Sequence, residues 1–155
     1  MSNEIISLEE VIKYAIMSEK ECCVFYRNVS KLLEGGRLHG FFNRLAEEEL
    51  NHLDLLMLLI EGGKVSEKVL HLHVVIDTDV FETLINESWN PYGLSEEQLL
   101  YLAGEREKII IEAYERMMDI KPAPLEVIKT AEKIKNLEKE HLERITTTIH
   151  NLFSR

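Results

Sequence analysis

Residues 45–52 read Leu-Ala-Glu-Glu-Glu-Leu-Asn-His, and residues 138–142 read Glu-Lys-Glu-His-Leu. Each stretch holds a Glu followed three positions later by a His: Glu49 with His52, and Glu138 with His141. On an α-helix, residues three apart differ by about 60° around the axis and by about 4.5 Å along it, so such a pair can reach one ion together. A single Glu-x-x-His is common on surface helices. Two of them gain weight only if the rest of the chain turns both inward.

Working outward from these pairs, the chain repeats itself. Ser7 precedes Glu19 by 12 positions, and Ser95 precedes Glu107 by 12. A Tyr follows each of these glutamates by 7 positions, as Tyr26 and Tyr114. The Glu of each Glu-x-x-His then lies 30 positions after Glu19 and 31 after Glu107. Both halves open on a capping box, Ser7-Leu8-Glu9-Glu10 with Ile6 and Val11 as its staple, and Ser95-Glu96-Glu97-Gln98 with Leu94 and Leu99. Gly35-Gly36 ends the first helix, and the second runs from Leu38 to about Glu61, where Gly62-Gly63 stops it. Lys121-Pro122-Ala123-Pro124 separates the third helix from a fourth that begins near Pro124, a residue suited to a first helical turn, and runs towards Phe153. The expected fold is all-α: a four-helix bundle of two helical hairpins, about 7–62 and about 95–153, in one domain spanning 1–155. A crossover of about 63–94 joins them and must carry the chain to the far end of the bundle. Within it, Val74-Val75-Ile76 and the helix-like run Val80 to Ile85 leave the local structure open.

Helical phase decides which way the glutamates face. Glu19 shares its face with Ile12, Ala15, Ile16, Cys22, Cys23 and Tyr26. Glu107 shares its face with Leu100, Ala103, Gly104, Ile110, Ile111 and Tyr114, and Glu49 with Phe42, Leu45, Ala46, His52, Leu53 and Leu56. Glu138 lies among Ala131, Ile134, His141, Leu142 and Ile145, with Lys135 interrupting the stripe. Taking Glu48 in place of Glu49 would put Arg44 on the inner face, so Glu49 fits better. Four carboxylates on apolar stripes cost several kcal/mol each unless compensated, and the stripes offer almost no Lys or Arg. A bound cation is the available compensation. Four carboxylates and two neutral imidazoles balance two divalent ions, and mixed oxygen and imidazole donors suit iron or manganese, with zinc a possible substitute.

Composition narrows the functional classes. A net charge of −10 and a pI near 5.1 argue against nucleic acid and against anionic membranes. Met1 to Glu10 has no basic start followed by an apolar run, and no stretch approaches the roughly 20 apolar residues of a membrane span, so a cytoplasmic location is expected. Cys22 and Cys23 are adjacent, form no Cys-x-x-Cys, and read as buried small apolar side chains.

At these residues the sequence closely resembles the rubrerythrin-related branch of the ferritin-like di-iron carboxylate proteins. The matches are Glu19-x-x-Cys22-x-x-Phe25-Tyr26, Leu45-Ala46-Glu47-Glu48-Glu49-x-x-His52, Glu107 with Tyr114, and Glu138-x-x-His141-Leu142, and the resemblance covers nearly the whole chain except the crossover. It implies a ferritin-like bundle with two iron ions, Glu49 and Glu138 bridging them and Glu19 and Glu107 as terminal ligands. His52 and His141 would each face one iron, and Tyr26 and Tyr114 would hydrogen-bond to the carboxylates. It also implies a homodimer. Two features depart from the family's pattern. Typical members carry a rubredoxin-like domain with paired Cys-x-x-Cys motifs, absent from this sequence, so electrons are expected from an external donor such as a rubredoxin-like protein. They also carry a further carboxylate one turn from the third-helix ligand, where this chain has Ile110 on one side and Gly104 on the other.

Three functions are therefore weighed: an oxidoreductase that reduces hydrogen peroxide or dioxygen, an iron-binding protein of ferroxidase type without dedicated turnover, and a structural bundle stabilised by metal. In the crossover, His71 and His73 with Asp77 and Asp79 form a weaker candidate for a second metal site. His39 and His150 have no partner visible in the sequence.

Overall fold

The computed structural model describes residues 3–87 and 89–154. Four long helices dominate it: α1 (Leu8–Leu32), α2 (His39–Ile60), α5 (Glu96–Met118) and α6 (Leu125–Phe153). Ser7 caps α1 by accepting from the Glu10 amide at 3.2 Å. Ser95 forms the full reciprocal box on α5, its side chain accepting from the Gln98 amide while Gln98 accepts from the Ser95 amide. Two glycines end α2 for different reasons. Gly63 adopts φ +69°, and a Cβ on Gly62 would lie 2.7 Å from the Leu58 carbonyl oxygen. Pro124 occupies the cap rather than the first turn of α6, with extended backbone (ψ 145°).

The α1–α2 and α5–α6 pairs pack as two hairpins, and their relative direction is fixed by side chains at the centre. Tyr26 meets Glu107 and Tyr114 meets Glu19, so α1 and α5 run antiparallel. Glu49 meets His141 and His52 meets Glu138, so α2 and α6 do the same. The end of α2 and the start of α5 consequently lie at opposite ends of the bundle. A 25-residue helix such as α1 is about 37 Å long, which the connection must traverse.

That connection is more ordered than its sequence suggests. It contains α3 (Glu67–Leu70), strand β2 (His73–Asp77) and α4 (Asp79–Asn86). β2 pairs antiparallel with β1 (Asn3–Ser7), in register Asn3 with Asp77 and Ser7 with His73, a departure from a purely helical reading. Val74 and Ile76 point into the core, while the cross-strand neighbours Ile5 and Val75 are exposed. Phe81 and Leu84 bury α4 against the bundle, and Trp89 donates from Nε1 to the Thr83 carbonyl at 3.1 Å.

Two apolar clusters fill the interior. One, at the sheet end, includes Leu8, Ile12, Leu59, Phe81 and Met117; the other includes Phe25, Phe42, Leu45, Leu99 and Ile145. Between them lies a polar layer.

Candidate metal centre

The polar layer is built from one turn of each long helix. α1 supplies Glu19, α2 supplies Glu49 and His52, α5 supplies Glu107, and α6 supplies Glu138 and His141. All six are at most 2% exposed. Each long helix turns these groups inward because the neighbours one turn away are apolar and buried, for example Ala15, Ile16 and Cys23 beside Glu19 and Leu45 and Ala46 beside Glu49.

The six form two overlapping groups whose donor atoms lie within 4.8 Å of one another: Glu19, Glu49, His52 and Glu138, and Glu49, Glu107, Glu138 and His141. Glu49 and Glu138 belong to both. Glu138 presents Oε1 to His52 Nδ1 at 2.5 Å and Oε2 to His141 Nδ1 at 3.3 Å. Glu49 presents Oε2 to His52 Nδ1 at 3.5 Å and Oε1 to His141 Nδ1 at 3.0 Å. Each shared carboxylate thus divides its two oxygens between the two groups. The imidazole rings stack with centroids 5.3 Å apart, both with Nδ1 towards the carboxylates.

The tyrosines cross between the halves. Tyr26 on α1 donates to Glu107 Oε1, and Tyr114 on α5 donates to Glu19 Oε1 at 2.5 Å. Oε2 of each glutamate is left without a partner. Among the described residues, the buried side-chain atoms lacking a hydrogen bond are, Arg106 Nε aside, all carboxylate oxygens or imidazole Nδ1 atoms of these six residues. No Lys or Arg among the described residues forms an ion pair with the four glutamates. Unpartnered buried polar atoms are costly. Eight of them converging from four helices suit a pair of hard or borderline cations held by oxygen and imidazole donors, so the residues present fit a dinuclear iron centre.

Without such ions, charge accumulates. Burial raises the Glu19 carboxyl well above the usual range, with the Glu49 charge adding to it, and burial and the Glu107 charge do the same to Glu138. Burial opposes charge on His52 and His141, but the surrounding carboxylates outweigh it and raise both imidazoles. Burial would raise Glu49 as well, yet the neighbouring Glu19 carboxyl and the His141 and His52 imidazoles outweigh it and lower it. A cation entering the centre must displace protons held there.

Several groups around this layer have no Glu-x-x-His spacing to announce them. Glu48 is half-buried, 3.1 Å from His141 Nε2, and takes a short ion pair from Arg144. Arg106, 2% exposed, lies between the rings of Phe25 and Trp89 at 4.7 and 4.8 Å and donates to Cys22 Sγ at 3.4 Å. Its position beside Glu107 was the available signal, but helical phase turns it away from the carboxylates. Cys22 and Cys23 are buried and unpaired, as free thiols.

The crossover histidines behave otherwise. His71 follows α3 and its Nδ1 contacts the Glu67 carbonyl at 2.7 Å, whereas His73 is exposed on β2. Asp77 accepts from the Asp79 amide and pairs with Arg116 at 3.6 Å. These residues are not among the metal-ligand groups found among the described residues. His39 does have a partner, since its Nδ1 lies 2.8 Å from the Ser30 carbonyl and 3.0 Å from the Ser30 hydroxyl. His150 is exposed.

Comparison with known proteins places this architecture. The family model described as Rubrerythrin matches residues 10–148. The chain belongs to the rubrerythrin family. This rubrerythrin-family chain also resembles a solved structure described as a dodecameric thioferritin in the bacterial domain, the bacterioferritin-related protein from Bacteroides fragilis. The TM-score is 0.72 at 19% identity, covering 94% of this chain and 85% of that one. At that identity the likeness establishes the ferritin-like fold of this rubrerythrin relative. None of the curated proteins matches it significantly. No helix among the described residues is long and apolar enough to cross a membrane.

Proposed function

We propose that the chain acts as one unit over 1–155, binds two iron ions, and serves as a cytoplasmic oxidoreductase reducing hydrogen peroxide or dioxygen with electrons from an external donor such as a rubredoxin-like protein. In this reading Glu49 and Glu138 bridge the ions, Glu19 and His52 complete one site, and Glu107 and His141 complete the other. The observation that carries it is the division of oxygens: Glu49 and Glu138 each turn one oxygen to each histidine. Bound iron would supply the two electrons that reduction of a peroxide bond requires.

The chain's own residues prepare the place. Tyr26 and Tyr114 occupy one oxygen of Glu107 and of Glu19, which orients the other inward. The apolar clusters on either side exclude water and strengthen every charge interaction in the layer. The buried phenol hydroxyls are the nearest proton carriers to the terminal carboxylates, and burial together with those carboxylates keeps both phenols protonated.

A second reading is iron handling of ferroxidase type, favoured by the fold shared with a thioferritin. That relative is dodecameric, so an assembly larger than the homodimer implied by family resemblance is open to this chain as well. One experiment separates the readings. Anaerobically reconstituted ferrous protein is mixed with peroxide or with dioxygen in stopped flow, then supplied with a reduced rubredoxin-like donor. Oxidation of two irons per chain followed by many donor-dependent turnovers supports the oxidoreductase. Oxidation that stops after one round, with oxidised iron retained, supports iron handling. Iron that stays ferrous through several equivalents of oxidant defeats both.

A further inference from the structure

We infer that Glu48 and Arg144 make the two cation sites unequal, so that the Glu107/His141 site binds its ion first and the Glu19/His52 site second. The inference rests on the dinuclear reading above and concerns a difference that the internal repeat makes visible. Glu48, the residue before the shared Glu49, approaches His141 Nε2 at 3.1 Å. Arg144, three residues beyond His141 on α6, pairs with the same Glu48 oxygen and holds it in place. In the other half the corresponding residues are Leu137, before the shared Glu138, and Leu55, three beyond His52. Among the described residues no carboxylate pairs with His52 Nε2. Both rings border one recess of about 160 Å³, whose wall also holds Glu48, Leu137, Glu140 and Arg144, but of the two only His141 Nε2 has a carboxylate at ion-pair distance among the described residues.

The chemical consequence follows from the acid's place. A carboxylate accepting the Nε2 hydrogen of His141 fixes the tautomer in which Nδ1 carries the lone pair, and it makes that nitrogen a better donor. Nδ1 is the atom turned to Glu49, Glu107 and Glu138. His52 has the same inward nitrogen without the outer acid, so its ring is held less firmly and donates less strongly. Glu48 is a positioning residue: it acts on the ion through His141.

The test is anaerobic titration of the metal-free chain with Co(II), followed by calorimetry and by visible absorption. Wild type should bind two ions in distinguishable steps. His52→Ala should abolish the weaker step and keep the tighter. Glu48→Gln, which keeps shape and removes charge, should weaken the tighter step about 10- to 100-fold and leave the weaker one in place. Leu137→Glu should tighten the weaker step, a gain that damage to the fold cannot imitate. Two equal steps in wild type, or a tighter step unmoved by Glu48→Gln, overturns the inequality alone. A wild type that takes up no Co(II), or whose uptake survives Glu138→Ala, overturns the dinuclear site and the inequality with it.

Discussion

The two hairpins agree at the bundle centre and differ around it. Glu19 corresponds to Glu107, Tyr26 to Tyr114, Glu49 to Glu138 and His52 to His141, and each member makes the same kind of contact as its counterpart. One step outward the correspondence ends. Arg106 on α5 occupies the place that Ser18 holds on α1, and Cys22 the place of Ile110. Arg106 is clamped between Phe25 and Trp89, whereas Ser18 donates to the Tyr14 carbonyl of its own helix at 2.9 Å. The repeat is retained where the geometry of a shared charge demands it and lost where each hairpin meets different neighbours, the crossover on one flank and the α2–α6 seam on the other.

The sharpest way to break the central agreement is to remove a shared carboxylate. Glu49→Ala or Glu138→Ala should abolish most of the uptake of two Fe(II) per chain, while Glu19→Ala or Glu107→Ala should cost about one ion. Elemental analysis after anaerobic reconstitution measures it, and equal losses in all four variants would contradict the shared role of Glu49 and Glu138. Next in size is the effect of metal on folding. Ligand at a thousandfold excess over its dissociation constant adds about 4 kcal/mol to the native state, so the reconstituted chain should melt well above the metal-free one at pH 7. Coincident melting curves would contradict a buried site.

Smaller effects test how alike the halves are. Tyr26→Phe and Tyr114→Phe each remove a hydroxyl that donates to a buried carboxylate, and each should lower stability by about 1.5 to 3 kcal/mol. Denaturant unfolding of the metal-loaded variants should give similar losses; a large loss in one and none in the other would show that the cross-helix pairs are not equivalent. A further effect is that of pH on the metal-free chain. Glu19, Glu138, His52 and His141 all hold protons more tightly folded than unfolded, and only Glu49 runs the other way. The folded chain therefore binds more protons than the unfolded chain above the ordinary carboxylate value of 4.5, and the imidazoles add to this above 6.5. Stability contributed by these groups is complete below those values and declines as pH rises. Melting temperature of the metal-free protein should fall from pH 5.5 to 7.5, and a rise over that range would show that the carboxylates ionise freely.

Helix limits and the inward groups were legible because each has a local cause. Capping serines, glycine stops and apolar neighbours at three and four positions are all within one or two turns of what they determine. The strand β1 was not legible, since Asn3–Ser7 is extended only by pairing with β2, some 70 residues away. Val74-Val75-Ile76 showed strand character in the sequence without revealing its partner. Helical phase placed Glu48 off the inner face, but phase describes where a side chain starts and not how far it reaches. Glu48 spans the seam between α2 and α6 because Arg144 draws it there. Arg106 was hidden for a related reason: its partners are a crossover tryptophan and a phenylalanine on another helix, contacts that no spacing on α5 encodes.

The placement of Trp89 equips the protein with an internal fluorophore. It is the sole tryptophan of the chain, its ring rests on a buried guanidinium, and its Nε1 hydrogen is held by the Thr83 carbonyl. Tryptophan emission shifts to longer wavelength when the indole passes from such a surrounding into water. The colour of the emission therefore registers whether the segment after α4 is docked on α5, independently of the helical signal from the bundle. On heating, a red shift that precedes loss of helicity would mark the crossover as the part that opens first.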